Sequence, residues 1–182
     1  MPFLSLFLAY RSIDLMKNIL ASNPDDYSQM EALIISFLLT AFITGVFAFI
    51  GFAYPSSSIL PEYYYKVKHP VTLDSLYKVL GIKYFRVLLL VSFWGRKNNR
   101  KKYFNGTKMG LNNFIYQAKQ SEFGHLGAFI IIIISSVILF AYGFVFMVII
   151  INLLNLFGNL YPIILQRVHR MRIEKLTKSY NL

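Results

Sequence analysis

Glu122 and His125 stand three residues apart, a spacing that stacks two side chains on one face of a helix. A carboxylate beside an imidazole can orient the ring and favour its protonated form, as a general base requires. A plainer reading also fits the pair. Near a helix start the macrodipole favours Glu122, and His125 can simply lie at an interface. The Glu-x-x-His spacing is also half of a di-metal carboxylate site, but a second such pair is missing from the sequence, so no metal is expected.

A second set follows. Asn152, Asn155, Asn159, Gln166 and Arg170 are spaced 3, 4, 7 and 4 along the chain. At 100° per residue all five fall within an arc of about 60°. Amides on an apolar helix are costly unless they face protein or a polar cavity. The stripe therefore marks an interior seam, either for substrate or for hydrogen bonds between helices. Arg167, Arg170 and Arg172 come next, with His169 among them. Guanidinium groups bind phosphate bidentately, and anchoring to anionic lipid is the alternative. Other chemistry is excluded by type. Cysteine is absent, which removes thiol nucleophiles and Cys-ligated metals. There is no Walker loop, no dinucleotide fingerprint and no Gly-x-Ser-x-Gly elbow. His69 and Asp74 have the spacing of a His-x4-Asp pair, but Pro70 follows the histidine, and His69 reads as structural. Tyr63, Tyr64 and Tyr65 read as an interfacial aromatic belt.

The elements that carry these residues are membrane helices. The chain has 182 residues, 56% hydrophobic and 15% charged, against roughly a quarter charged in a soluble domain. Residues 32–54 are uncharged and long enough for a span, which needs ~20 residues. Pro55 and Ser56 to Ser58 follow as a stop. The uncharged stretch from Leu126 to Leu165 would be roughly 60 Å long as one helix, about twice a hydrocarbon core. It must fold back, and Ala141-Tyr142-Gly143 is the best turn. The expectation is a span at 124–140 and another at 144–166, paired as a hairpin. Glu122 and His125 at the start of the first should then neighbour Gln166, Arg167, Arg170 and Arg172 at the end of the second. Gly124, Gly127 and Ala128 let another helix approach closely. Pro162 should kink the last helix, its ring pressing on the carbonyl of Gly158. Residues 2–20 have too short an apolar run to span, and Arg11, Asp14, Lys17 and Asn18 share a face, so an amphipathic interfacial helix is expected there. No cleaved signal is expected, since no positive charge precedes the apolar run.

The fold expected is thus an all-α membrane protein, a single domain with three transmembrane helices and an amphipathic N-terminal helix. Charge orients it. Residues 60–120, a basic interfacial segment, hold twelve Lys or Arg and two Asp or Glu. The tail at 167–182 holds five and one, while the first 31 residues hold two and four. The positive-inside rule puts the basic segment and the C-terminus in the cytoplasm. The run from Arg96 to Lys102, flanked by Trp94, Tyr103 and Phe104, suits a head-group layer rather than nucleic acid.

These residues resemble a known family. Glu122-Phe-Gly-His125 before one span, and Gln166-Arg-Val-His-Arg170-Met-Arg172 after the next, are similar to the glycosyl diaponeurosporenoate acyltransferases, small integral membrane enzymes. Leu60-Pro-Glu-Tyr-Tyr64 is similar to the family's segment after its first hydrophobic stretch, and the resemblance runs from about Leu60 to Arg172. It implies an acyltransferase that esterifies a hydroxyl of a membrane glycolipid, a carotenoid glycoside being one such acceptor. It implies a bacterial cell membrane, membrane lipids and a glycolipid as partners, no nucleic acid, and room for an oligomer. No cofactor need be tightly bound, and an activated donor such as acyl-CoA is the expected co-substrate. On this reading His125 takes the proton of the acceptor hydroxyl and Glu122 orients the imidazole. Gln166 and Asn159 donate to the oxyanion, Asn155 and Asn159 contact substrate, and Arg167, Arg170 and Arg172 hold phosphate. The alternative is a non-enzymatic scaffold or accessory subunit, with the asparagines as helix glue and the arginines as lipid anchors. A channel ranks third, because charged residues within the spans are missing.

Overall fold

The computed structural model describes residues 1–94 and 108–179. The basic run from Arg96 to Lys102, with Tyr103 and Phe104, lies outside the described residues. Within them the chain is all-helical. In order come α1 (Pro2–Leu20), α2 (Gln29–Ala53), α3 (Glu62–Tyr65), α4 (Pro70–Val79) and α5 (Ile82–Leu89). A π-helical turn, Leu90–Trp94, follows α5. Then come α6 (Lys108–Ala141), α7 (Val145–Asn155), a second π turn (Leu156–Leu160) and α8 (Tyr161–Ser179). Three helical stretches are long and apolar enough to cross a bilayer, at Gln29–Ala53, Gly110–Ala141 and Val145–Lys175. By contacts the chain forms two compact units, Met1–Pro55 with Gly124–Leu160, and Ser56–Phe123 with Tyr161–Leu182.

The first unit holds the membrane hairpin. Ser28 starts α2 with a capping box: its Oγ accepts from the Glu31 amide at 3.3 Å, and Glu31 Oε2 accepts from the Ser28 amide at 2.9 Å. Pro55 stops α2 by forcing Tyr54 into an extended conformation. The fold-back comes where the sequence places it. Gly143 takes φ +85°, the Gly143 amide donates to the Phe140 carbonyl and the Phe144 amide donates to the Leu139 carbonyl. This is a Schellman cap, and Leu139 and Phe144 are both buried in the same core. That core joins Leu39 and Ile43 of α2, Ala128 and Ile132 of α6, and Met147 and Ile151 of α7.

Small residues decide how close these helices come. A Cβ on Gly127 would fall 2.3 Å from the ring of Phe47, and one on Gly124 would meet the Phe47 carbonyl at 3.5 Å. So α2 lays an aromatic ring directly on the backbone of α6. The N-terminal helix exposes Phe3, Leu6, Phe7, Tyr10 and Ile13 together with an Arg11–Asp14 pair at 3.1 Å, so its outer face is not the polar face expected of an amphipathic helix. Its inward face repeats every seven residues, at Ser5, Ser12 and Ile19. That face packs lengthwise along α2, where Ser5 Oγ donates to the Val46 carbonyl at 3.1 Å and Leu8 lies against Gly45.

The second unit carries the residues between the spans. Gly81 takes φ +63° and turns α4 into α5. Tyr161 ties this corner to the last helix: its hydroxyl donates to the Leu80 carbonyl at 2.8 Å, and its ring meets Phe85 edge-on at 5.6 Å. Leu73, Tyr77 and Ile82 are buried here, as are Ile164, Val168 and Met171 on α8 at helical spacing.

Helix bounds differ from the expected ones in two places. α6 starts at Lys108, well before 124: residues 108–123 hold no proline, and Gly110 falls in the first turn, where a weak helix former costs least. Glu122 is therefore mid-helix, and no helix-start dipole acts on it. Near Pro162 the chain relieves the ring's clash with a π turn at Leu156–Leu160 and continues as α8.

Candidate active site

His125 lies half-buried in the first unit on α6. Its Nδ1 is 3.1 Å from Asn159 Oδ1. Asn159 Nδ2 donates to Asn155 Oδ1 at 3.0 Å and to Thr44 Oγ1 at 3.2 Å. Asn155 Nδ2 donates in turn to the backbone carbonyl of Phe129 at 3.2 Å. A carbonyl oxygen only accepts, so it fixes which end of Asn155 faces it. Asn155 then presents its oxygen to Asn159, and Asn159 presents its own oxygen to the histidine. The imidazole must answer with Nδ1–H. In the neutral ring the lone pair is left on Nε2. Asn155 and Asn159 are buried, and Asn152 extends the seam by donating to Ser136 Oγ at 2.5 Å.

Glu122 belongs to the second unit and is fully buried. Its Oε1 accepts from Arg167 Nε at 2.8 Å, and its Oε2 accepts from Arg170 Nη2. Glu122 thus meets two of the neighbours expected from the hairpin, Arg167 and Arg170. Gln166 joins them, with Nε2 donating to Ser121 Oγ at 3.3 Å. Each arginine also lies over a tyrosine ring: Arg167 over Tyr64 at 4.9 Å, Arg170 over Tyr65 at 5.3 Å and Arg172 over Tyr77 at 5.4 Å. Arg170 is 3% exposed, and its Nε and Nη1 have no partner among the described residues. Burial and the Glu122 charge push the Tyr65 phenol up to about 12, and the same causes raise Tyr64. Both rings stay neutral, as platforms for cations should.

The expected partners of Glu122 and His125 are redistributed. The group on Nδ1 is Asn159, and the Glu122 oxygens hold two guanidinium groups. The stripe divides in the same way. Asn152, Asn155 and Asn159 serve the first unit, and Gln166 and Arg170 serve the second. Asp74 pairs with Lys78 at 2.7 Å, and that hydrogen bond holds its carboxyl below the usual range. It is not a catalytic partner for His69. Among the described residues no three His, Asp or Glu side chains gather.

A family model described as CrtO, glycosyl-4,4'-diaponeurosporenoate acyltransferase, matches residues 61–179. That is well over half of the chain. The chain belongs to this acyltransferase family. No curated protein and no solved structure matches the chain significantly. The matched segment contains Glu122, His125, all three stripe asparagines and the whole arginine group. With three helices able to span a bilayer, the protein is an integral membrane acyltransferase, and the scaffold reading gives way.

Some residues of the acyltransferase escape sequence reasoning. Tyr64 and Tyr65 read as a belt, yet they carry Arg167 and Arg170. The available signal is charge: Glu122 is the one carboxylate between Asp74 and Glu174, so several cations had to find other partners.

Proposed function

We propose that this acyltransferase esterifies a hydroxyl of a membrane glycolipid, a carotenoid glycoside being one candidate acceptor, using His125 as the general base. The observation that carries the reading is the hydrogen-bond chain from the Phe129 carbonyl through Asn155 and Asn159 to His125, which leaves the Nε2 lone pair as the base. His125 Nε2 takes the proton as the sugar oxygen attacks the acyl carbonyl. The tetrahedral intermediate collapses with loss of the donor's leaving group, which takes the proton back from the imidazolium. Asn159 Oδ1 accepts from Nδ1–H throughout and steadies the charged ring. The second N–H of Gln166 is assigned to the developing oxyanion. Arg167 and Arg170 are held by Glu122, which makes Glu122 a positioning residue. With Arg172 they supply positive charge for a phosphate-bearing donor such as acyl-CoA. The charge distribution supports a cytoplasmic side for the basic segment and the C-terminus, and the family supports a bacterial cell membrane.

The test compares lipids from membranes with the intact protein, with His125→Ala, and without the protein. The expected result is a glycolipid that gains one acyl chain only with the intact protein. Equal acylation by His125→Ala, at matched protein levels, would rule out His125 as the base.

A further inference from the structure

The second unit contains a cavity of about 380 Å³. Its wall runs from Tyr63 through Lys66, Lys68 and His69 into the first turn of α4 at Thr72, and Arg167 closes it from α8. Three permanent cations and a histidine line it, and no carboxylate does. Three acids of this unit are engaged elsewhere: Glu62 with Lys119, Asp74 with Lys78, and Glu122 with Arg167 and Arg170; Glu174 is exposed and does not line the cavity. Lys66 and Lys68 have no carboxylate partner among the described residues, and Lys68 lies over the Tyr63 ring at 5.8 Å. Tyr65 also lines the cavity. It is 3% exposed, and its hydroxyl has no partner among the described residues. Over its ring stands Arg170, whose Nε and Nη1 have no partner among the described residues.

One buried carboxylate thus serves two guanidinium groups, and the charge of the wall is uncompensated. Buried donors without acceptors are costly, so such a site favours an anionic ligand rich in acceptor oxygens. The volume exceeds that of a lone phosphate and is in the range of small-molecule sites. Resting on the acyl-transfer reading above, we infer that this cavity receives the phosphate group of the acyl donor. The donor is then a phosphate ester, either a coenzyme A thioester or a phospholipid, held by Lys66, Lys68 and Arg167 with His69 at the rim.

The test uses the full chain in maltoside micelles, which carry no phosphate. The probes are butyryl-CoA, butyryl-pantetheine and dioctanoyl phosphatidylglycerol. The variant is Lys66→Gln with Lys68→Gln, two exposed positions whose change leaves the unfolding temperature in place. The expected result is binding of one phosphate probe that weakens about tenfold in the variant, with KM for that donor raised to match and kcat retained. Butyryl-pantetheine should not distinguish the two proteins. A loss confined to butyryl-CoA identifies a soluble thioester donor. A loss confined to phosphatidylglycerol, with its acyl chain transferred, identifies a phospholipid donor. Transfer at unchanged KM in the variant overturns the inference and leaves the acyl-transfer reading standing. So does a loss of phosphatidylglycerol binding alone while transfer from butyryl-CoA is unaffected, since the lysines then only anchor lipid. No transfer by the intact protein from either donor, with lysine-dependent phosphate binding retained, overturns the acyl-transfer reading and leaves a phosphate site.

Discussion

The imidazole of His125 and the amide of Asn159 meet at 3.1 Å, and the direction of that bond is set further along the network by the Phe129 carbonyl. A tautomer is thereby imposed on a side chain by a backbone group on its own helix, through two asparagines of the facing helix segment. The ring needs no carboxylate for this, and among the described residues none is paired with it.

Removing the relay should cost turnover rather than binding. Asn159→Leu is expected to lower kcat about a hundredfold, the lower range for general base catalysis, with KM little changed. The double variant with His125→Ala should be no slower than His125→Ala alone, because both act through one proton. Initial rates in membranes with matched protein content decide this. Additive losses would mean that Asn159 acts apart from His125.

Glu122 should matter for stability first. It is fully buried between Arg167 and Arg170, so Glu122→Ala leaves two guanidinium groups uncompensated. Breaking a buried pair on one side typically costs about 3–5 kcal/mol. Thermal unfolding in detergent, followed by near-ultraviolet circular dichroism of the tyrosines, should show a clear drop. Replacing Glu122 and Arg170 together by methionine should lose less than Glu122→Ala, since one buried charge goes with its partner.

Much of this architecture is legible in the sequence because it is one-dimensional. Apolar length gives the spans, Gly143 gives the fold-back, and Gly127 marks a close helix approach. The contact of Gln166 and Arg167 with Ser121 and Glu122 follows from the hairpin alone. What stays hidden depends on side-chain choice in three dimensions. Glu122 has two kinds of neighbour at hand, and a carboxylate chooses guanidinium over imidazole because the bonds are charge-assisted and forked. The uniform helical wheel also fails at Leu156–Leu160, where a π turn shifts the register between Asn159 and Gln166. No spacing rule reveals that Tyr64 and Tyr65 carry arginines.

Alkaline titration should single out Tyr65. Its phenol is pushed up to about 12 by burial and by the Glu122 charge. An exposed tyrosine in the unfolded chain ionises near ~10. Between those values the native state holds a proton that the unfolded state has lost, so stability falls as pH rises through that window. Below it the group contributes its full effect. Phenolate absorbance in detergent should show a late step that Tyr65→Phe removes, together with part of the alkaline loss of stability. A Tyr65→Phe protein with an unchanged late step would refute the assignment.

The contact between Phe47 and Gly127 gives the sharpest packing test. A Cβ at position 127 would lie 2.3 Å from Cε1 and 2.4 Å from Cδ1 of the Phe47 ring, closer than any real contact. Gly127→Ala must therefore displace the ring or part α2 from α6. Overpacking of this kind costs roughly 1–3 kcal/mol. It outweighs the ~1 kcal/mol that alanine gains over glycine within a helix. The sign should reverse once the ring is gone. With Phe47→Leu in place, the alanine meets a shorter side chain and its helix preference remains, so Gly127→Ala should become neutral or stabilising. Unfolding of the four proteins in detergent completes the cycle. A coupling energy near zero would mean that the ring and the glycine do not meet in the membrane protein.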